Sequence, residues 1–155
     1  MESSTRLHEA GLRATAPRVA VLDVLDAAAG TAHLAAAAIV AAVRGRLGTV
    51  SVQAVYDCLD ALEKAALVRR IQPAGHAAHF ESRVGDNHHH VVCRSCGRTE
   101  DIDCVHGDAP CLAPDPTSSP SGFRIDEAEI TFWGLCADCA DSPPPLPSRT
   151  RAMDR

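Results

Sequence analysis

The stretch Asn87-His88-His89-His90-Val91-Val92-Cys93-Arg94-Ser95-Cys96 concentrates side chains that bind metals. It carries three consecutive histidines and then a Cys-x-x-Cys pair, and a second pair, Cys136 and Cys139, lies about forty residues further on. Two such pairs supply four thiolates, the ligand set of a closed tetrahedral zinc site. Gly97 follows the first pair, as a knuckle turn favours. With four sulfur ligands no position is left for water, so such a site stabilises and does not catalyse. Its thiolates remain nucleophilic and open to oxidants. The alternatives for these residues are unligated core cysteines or two separate disulfides.

The histidines do not belong to that set. In a strand over Asn87–Cys93 side chains alternate faces, so His88 and His90 point one way and His89 the other. Two imidazoles on one face, beside a full complement of thiolates, point to a second metal site. Its other ligands must come from elements that fold back toward the strand. Candidates are Glu81, at the end of the preceding strand, and Asp101, on the strand after the knuckle, with Asp103 on the same face. His33, between two helices of the N-terminal half, is another. The alternatives are a surface-loop histidine and solvated strand carboxylates. Imidazoles and carboxylates without thiolate suit Fe²⁺, Mn²⁺ or Zn²⁺.

The elements that must position these groups follow from apolar spacing. A short helix is expected around Thr5–Ala10, ended by Gly11. Thr15 is placed to cap a second helix with Pro17 in its first turn, where a missing N–H costs nothing. Val19, Leu22 and Leu25 give that helix its stripe, widened by Val21 and Val24, and Gly30 ends it. Leu34–Leu47 is an Ala-rich helix with Ile39, Val40, Val43 and Leu47 on its apolar side. Ser51 starts a third strong helix, in which Val52, Val55, Leu59 and Leu62 form one buried stripe. Gln53, Ala54, Tyr56 and Asp57 lie off that stripe. Two strands follow, Leu67–Ile71 and Ala77–Glu81, joined by a turn at Pro73-Ala74-Gly75. Helices followed by a hairpin are the order of a winged helix-turn-helix, whose last helix enters the DNA major groove.

The fold class expected is therefore α+β: a winged helix-turn-helix over residues 1–82, a hinge at 83–87, and an α/β domain over 88–140. The second domain reads as strands at His88–Val92, Arg98–Asp103 and Phe123–Trp133, with a proline-rich loop at His106–Gly122 between the last two. Residues 141–155 have too little apolar content to fold and are expected to be disordered.

A chain of 155 residues fits one ordinary domain or two small ones. No apolar run is long enough for a transmembrane helix, and the start MESSTRLHEAG lacks the pattern of a secretory signal. With paired Cys-x-x-Cys motifs and no signal, the seven cysteines read as metal binding rather than a disulfide framework, which places the protein in the cytoplasm, without a membrane partner. The formal charge of −5 is unevenly shared. Residues 1–83 hold nine Lys/Arg and eight Asp/Glu, a net of +1, whereas residues 84–155 hold six Arg and twelve Asp/Glu, a net of −6. The acidity sits in the metal-rich half, where cations would offset part of it. A zinc enzyme is disfavoured: there is no H-E-x-x-H, and no H-x-E paired with P-C-x-x-C.

In order and spacing, several blocks resemble the ferric uptake regulator (Fur) family: Gly11-Leu12-Arg13-x-Thr15-x-Pro17-Arg18, Ser51-x-Gln53-Ala54-Val55-Tyr56, Phe80-Glu81, His88 through Cys93-x-x-Cys96-Gly97, and Cys136-x-x-Cys139. The likeness runs from about Leu7 to Ala140, and the histidine-to-cysteine block is its most specific part. The run Arg83 to His90, with Cys104 and Cys111 downstream, looks like the FurA/CatR branch of actinobacterial regulators, which is associated with control of a catalase-peroxidase. The resemblance implies a homodimeric, metal-dependent repressor with a winged helix and a C-terminal dimerisation domain. It implies a regulatory Fe²⁺ or Mn²⁺ site (Zn²⁺ in vitro) of His33, Glu81, His88, His90 and Asp101, and a structural Zn²⁺ at Cys93, Cys96, Cys136 and Cys139. In PerR-like, peroxide-sensing members, histidines matching His33 and His88 are oxidised. Those members use aspartates where iron sensors use glutamates, and this chain has one of each, Glu81 and Asp101. The alternative is thus an iron- or zinc-responsive repressor of metal-uptake genes.

The chain also departs from the family. A further metal site of some members needs histidines where this chain has Asn87 and Ala128, so His89 is expected on the solvent side. Asp57 stands where a basic residue is frequent, and the proline-rich stretch replaces a helix of the dimerisation domain. Toward operator DNA, expected to be double-stranded and roughly palindromic, Ala54 and Tyr56 suit thymine methyls and Gln53 a base edge. Arg13, Arg18, Arg69 and Arg70 are phosphate candidates. Cys58 is expected in the core, and Cys104 and Cys111 have no assigned role.

Overall fold

Positive-φ glycines and apolar stripes divide the first half of the chain into four helices, seen in a computed structural model that describes residues 2–104 and 129–141. Helix α1 covers Ser3–Glu9 and α2 covers Ala16–Ala28. Thr15 occupies the N-cap position of α2, with Pro17 in its first turn, but its side chain makes no capping hydrogen bond. The expected cap is therefore positional only. Helix α3 spans Ala36–Leu47, and α4 spans Val52–Lys64. The Ser51 hydroxyl does cap α4, accepting from the Ala54 N–H at 3.0 Å.

The stripe of α4 is buried from Val55 onward. Val55, Leu59 and Leu62 are fully enclosed, and Cys58 lies in the same core. Val52 departs from the expectation at 45% exposure, because the first helical residue precedes the point where α4 meets α2. Leu7, Val21, Leu22, Leu25, Ile39 and Val43 complete this core, with Phe80 entering from the sheet.

The sheet of this half has three strands in the order β1-β3-β2. Strand β2 (Arg69–Ile71) and β3 (His79–Glu81) form the expected hairpin, with Arg69 opposite Glu81. Strand β1, only Leu34–Ala35, pairs with β3 and sets Leu34 opposite Phe80. Two residues carry no readable period, so β1 was hidden within the expected Leu34–Leu47 helix. Its consequence is large: it anchors His33 next to the end of β3, where Glu81 lies.

The second sheet has the order β5-β4-β6. Strand β4 (His88–Cys93) is antiparallel to β5 (Thr99–Asp103), pairing His90 with Asp101 and Val92 with Thr99. It runs parallel to β6 (Thr131–Gly134). A short helix, α5 (Ala137–Ala140), follows. The early part of the Phe123–Trp133 strand, the His106–Gly122 loop, Cys111, Ala128 and nearly all of the 141–155 tail lie outside the described residues.

One contact between the two sheets is made by aromatic rings. His76, in the turn between β2 and β3, packs on Trp133 of β6, with ring centroids 6.3 Å apart. The Arg94 guanidinium lies 5.4 Å from the centre of the Trp133 ring. Gly97, in the knuckle, is buried under the same histidine. Its φ is +77°, and a Cβ added there would stand 2.7 Å from His76 Nδ1. Only glycine meets both demands. Gly97→Ala is expected to destabilise the protein by more than the about 1–2 kcal/mol that left-handed backbone alone costs. In a urea titration, part of that loss should vanish in a His76→Ala background, because the collision is then relieved. Additive losses would show that the contact contributes nothing.

Candidate metal centres

The chemistry-bearing side chains gather at two places. The first is built on the knuckle between β4 and β5. Its turn is closed by the Gly97 N–H donating to the Cys93 carbonyl at 2.9 Å and the Cys93 N–H to the Arg98 carbonyl at 2.8 Å. The start of α5 brings up Cys136 and Cys139. The four Sγ atoms of Cys93, Cys96, Cys136 and Cys139 all lie within 4.8 Å of one another, with Cys96 and Cys136 at 3.7 Å. All four are unbridged thiols. Backbone N–H groups of Cys96 and Cys136 aim at Cys93 and bring its pKa down to about 6. For Cys139 the Ser95 hydroxyl favours the thiolate, but the neighbouring thiols Cys136 and Cys96 outweigh it and push the pKa up to about 12. Cys93 is thus ready to ionise, and crowding resists ionisation of Cys96 and Cys139 until a cation compensates them.

The second cluster lies between the two sheets. His33 comes from the turn before β1, Glu81 from the end of β3, His88 and His90 from β4, and Asp101 from β5. The ligating atoms of His33, Glu81, His90 and Asp101 fall within 4.8 Å of one another. His88 joins them, its Nε2 standing 3.2 Å from Glu81 Oε1 and 3.7 Å from Asp101 Oδ1. His90 Nε2 is likewise 3.2 Å from Glu81 Oε1. The alternation of β4 therefore works as the sequence implies for His88 and His90. It does not put His89 in solvent. His89 is only 8% exposed and meets Phe132 edge-on at 6.2 Å, because β4 is the central strand and its second face is covered too.

The geometry of this cluster poses a problem that protons alone solve poorly. His33 Nδ1 lies 3.0 Å from the Thr99 carbonyl, which can only accept, so Nδ1 carries the hydrogen. A neutral His33 then turns the lone pair of Nε2 toward Glu81 Oε2 at 3.1 Å and Asp101 Oδ1 at 2.9 Å. His88 repeats the pattern: its Nδ1 faces the Asp86 carboxylate at 2.8 Å, which leaves the Nε2 lone pair facing Glu81. Asp101 Oδ1 is buried and accepts no hydrogen bond despite the nearby His33 nitrogen. Lone pairs converge on a common centre, in a site whose side chains are at most 11% exposed. A divalent cation satisfies that arrangement.

Without a cation, a proton on His33 takes its place. Burial resists charge on His33, yet the hydrogen bond and charge of Glu81, with Asp101 and the Thr99 carbonyl, raise its pKa above the usual range. Burial likewise opposes ionisation of Glu81, but His33 and His90 outweigh it and hold the carboxyl far below the usual carboxylate range. A pocket of about 100 Å³, lined by Gly30, Thr31, Ala32, His33, Glu100 and Asp101, reaches the cluster from outside.

Asp103, the other candidate carboxylate of β5, is not part of the cluster. It is largely exposed and pairs with Arg83 Nη2 at 2.7 Å. Two residues that sequence spacing did not single out, Arg83 and Asp86, instead lie directly behind the ligands. Their sequence signal is membership of the run Arg83 to His90, which carries the family likeness but no role for either residue.

The DNA candidates divide. Arg13, Arg18, Ala54 and Asp57 line one shallow depression beside the first turns of α4, and Tyr56 on that helix is 44% exposed. Gln53 donates to Asp57 Oδ1 at 2.8 Å, so the uncommon acid holds the base-reading candidate. Arg69 and Arg70 lie elsewhere, in a cleft shared with Glu63, Arg83, Asp86 and His88.

Comparison with known proteins identifies the family. A profile of the Ferric uptake regulator family matches residues 9–109. Over 137 residues, 55% are identical to the Transcriptional regulator FurA of Mycobacterium tuberculosis, an alignment covering 88% of this chain and 89% of that protein. The Ferric uptake regulation protein 2 of Mycolicibacterium fortuitum is 52% identical over 139 residues, covering 88% and 92%. Among solved structures, the Ferric uptake regulator from Pseudomonas aeruginosa with manganese superposes with a TM-score of 0.65 at 26% identity, over 88% of this chain and 99% of that one. The Campylobacter jejuni peroxide stress regulator shares the fold, with a TM-score of 0.61 at 21% identity over 90% and 100%. No single helix among the described residues is long and apolar enough to cross a membrane. A profile match over residues 9–109, joined to relatives more than half identical along nearly nine-tenths of the chain, leads to one conclusion: this chain belongs to the ferric uptake regulator family and is a metal-responsive transcriptional regulator, not an enzyme.

Proposed function

We propose that the protein is a homodimeric repressor that binds a roughly palindromic operator when Fe²⁺ or Mn²⁺ fills the His33, Glu81, His88, His90 and Asp101 site, and is released when peroxide oxidises His33 or His88. Its targets on this reading are its own gene and a catalase-peroxidase gene. The single observation that carries it is the span of the ligand set. His33 belongs to the winged-helix half and Asp101 to the second sheet, and both meet on Glu81 and the β4 histidines. A cation bound there ties the two halves together. Tying favours the DNA-competent arrangement only through its higher metal affinity, and a few kcal/mol of such difference moves most of the population. Iron, when bound, supplies the redox chemistry; the chain contributes buried imidazoles and a narrow entrance beside His33. The zinc assignment for the four cysteines rests on their thiolate set and mutual distances.

A second reading, an iron-responsive repressor of uptake genes, draws on the name of the Mycolicibacterium relative and on the mixed carboxylates Glu81 and Asp101. Peroxide separates the two.

Fluorescence anisotropy with DNA from upstream of the protein's own gene should show at least about tenfold tighter binding with Mn²⁺ than without metal, a difference of about 1.4 kcal/mol. His33→Ala should abolish the difference while leaving the helices folded. Equal binding by both forms would rule out the clamp. With Fe²⁺, brief peroxide should weaken binding and add oxygen mass to the peptides holding His33 or His88, and Mn²⁺ should protect. An Fe²⁺-loaded protein that keeps its DNA and its mass would instead favour the iron-responsive reading. Cys136→Ser should lose one equivalent of zinc per chain by elemental analysis and melt at lower temperature, whereas Cys58→Ser should keep its zinc.

A further inference from the structure

Resting on the regulatory-site reading above, we infer that Arg83 and Asp86 are positioning residues that present His88 and Asp101 to the metal. Neither is a ligand. Both lie on the segment between β3 and β4, the connection from the winged-helix half to the second sheet.

The geometry is a relay of three contacts. The Asp86 Oδ1 atom faces His88 Nδ1 at 2.8 Å. Its other oxygen, Oδ2, accepts from Arg83 Nε at 2.6 Å. Arg83 Nη1 then donates to Asp101 Oδ2 at 3.1 Å, and Nη2 to Asp103. One guanidinium fork thus joins three carboxylates. Gly85 makes the turn possible: with φ at +82°, it lets residues 83 and 86 approach at the i,i+3 separation. The Asp103 arm is exposed and contributes little. The Asp101 arm is mostly shielded, with the carboxylate 11% exposed, and it orients the carboxylate.

Each contact fixes something the metal needs. Asp86 keeps the hydrogen of His88 on Nδ1, so the Nε2 lone pair is the one that faces Glu81 and the centre of the cluster. A carboxylate behind an imidazole also raises its basicity as a ligand. Arg83 occupies Asp101 Oδ2 and leaves Oδ1, the buried atom without a hydrogen bond, turned to the metal. The three imidazoles are not supported alike. His33 leans on the Thr99 backbone carbonyl, His88 on a carboxylate, and His90 Nδ1 is buried with no partner. His88 is thus the one of the three imidazoles that faces a charged side chain on the inter-sheet segment.

The test uses the full-length dimer with its zinc retained, titrated with Co²⁺ for its visible ligand-field bands and with Mn²⁺ for affinity. Asp86→Ala should weaken both metals about 10–100-fold, the range found for residues that orient metal-bound histidines. Its Co²⁺ bands should shift, because His88 is free to rotate. Asp86→Asn keeps an acceptor for the His88 N–H but removes the charge, so its affinity should fall between wild type and Asp86→Ala. Arg83→Lys cannot fork across the carboxylates and should also bind more weakly, with zinc content unchanged. A merely structural role would lower the melting temperature and leave metal affinity and spectrum as in wild type. That outcome overturns the proposal. Should Asp86→Ala fail to fold, Asp86→Asn decides: wild-type affinity and bands for it overturn the proposal equally. A wild-type protein that takes up no Co²⁺ beyond its zinc site would overturn the regulatory-site reading itself, and this proposal with it.

Discussion

A buried carboxylate surrounded by imidazole nitrogens is the constraint on which the rest of this structure depends. Glu81 has one oxygen against His33 and the other against both His88 and His90, all within 3.2 Å. Burying an ionised carboxylate is tolerated only where compensating charge or donors are supplied. Here the donors are themselves committed elsewhere through Nδ1 in two of the three histidines. The cluster therefore relies on something positive, either extra protons on the imidazoles or a divalent cation. Protons leave Asp101 Oδ1 without a hydrogen bond in this arrangement.

That constraint explains several features of the fold. Glu81 ends β3, so the hairpin of the winged helix must finish at the cluster. Strand β1 is two residues long, yet its pairing with β3 holds His33 at the correct height. Strand β4 supplies its ligands at every second residue, and β5 pairs Asp101 directly across from His90. Four of the five candidate ligands are therefore placed by backbone pairing, and His33 stands one residue before β1. The segment from Arg83 to Asn87 joins β3 to β4, and its Asp86 and Arg83 contact His88 and Asp101.

Much of this was legible in the residues. The thiolate quartet followed from two Cys-x-x-Cys pairs, and the common face of His88 and His90 from the period of a strand. Helices α2 to α4 followed from apolar spacing, as did the Pro73–Gly75 turn. What escaped was whatever depends on elements meeting across the chain. Val52 belongs to the stripe by spacing but lies before the helix enters the core. His89 sits on the face opposite its neighbours, yet that face is covered because β4 is central. The Thr15 hydroxyl is in the right position without making its bond. Arg83 and Asp86 belong to the expected hinge, and nothing in their spacing shows that Arg83 reaches Asp101 of β5. Spacing reports which face a side chain takes, and only the assembled sheets report what lies against that face.

The two clusters are also continuous with each other through covalent and hydrogen-bonded structure. The knuckle that gathers Cys93 and Cys96 ends at Gly97. The Gly97 carbonyl accepts from the Thr99 hydroxyl at 3.1 Å, and the Thr99 carbonyl fixes the tautomer of His33. From the other end of the same knuckle, Cys93 closes strand β4, three residues beyond His90. A knuckle that lost its shape would therefore move the Thr99 carbonyl and the end of β4 together, disturbing His33 and His90 from two sides. His76 adds a third link, since it rests on Gly97 while belonging to the β2–β3 hairpin that ends in Glu81. Such continuity is a physical route for coupling, and it becomes a demonstrated one only when both sites bias the same two-state motion. The candidate for that motion is the angle between the sheets, because His33 and Glu81 sit on one side of it and His88, His90 and Asp101 on the other. The four cysteines thus lie on the same backbone frame as three of the five candidate ligands, His88, His90 and Asp101.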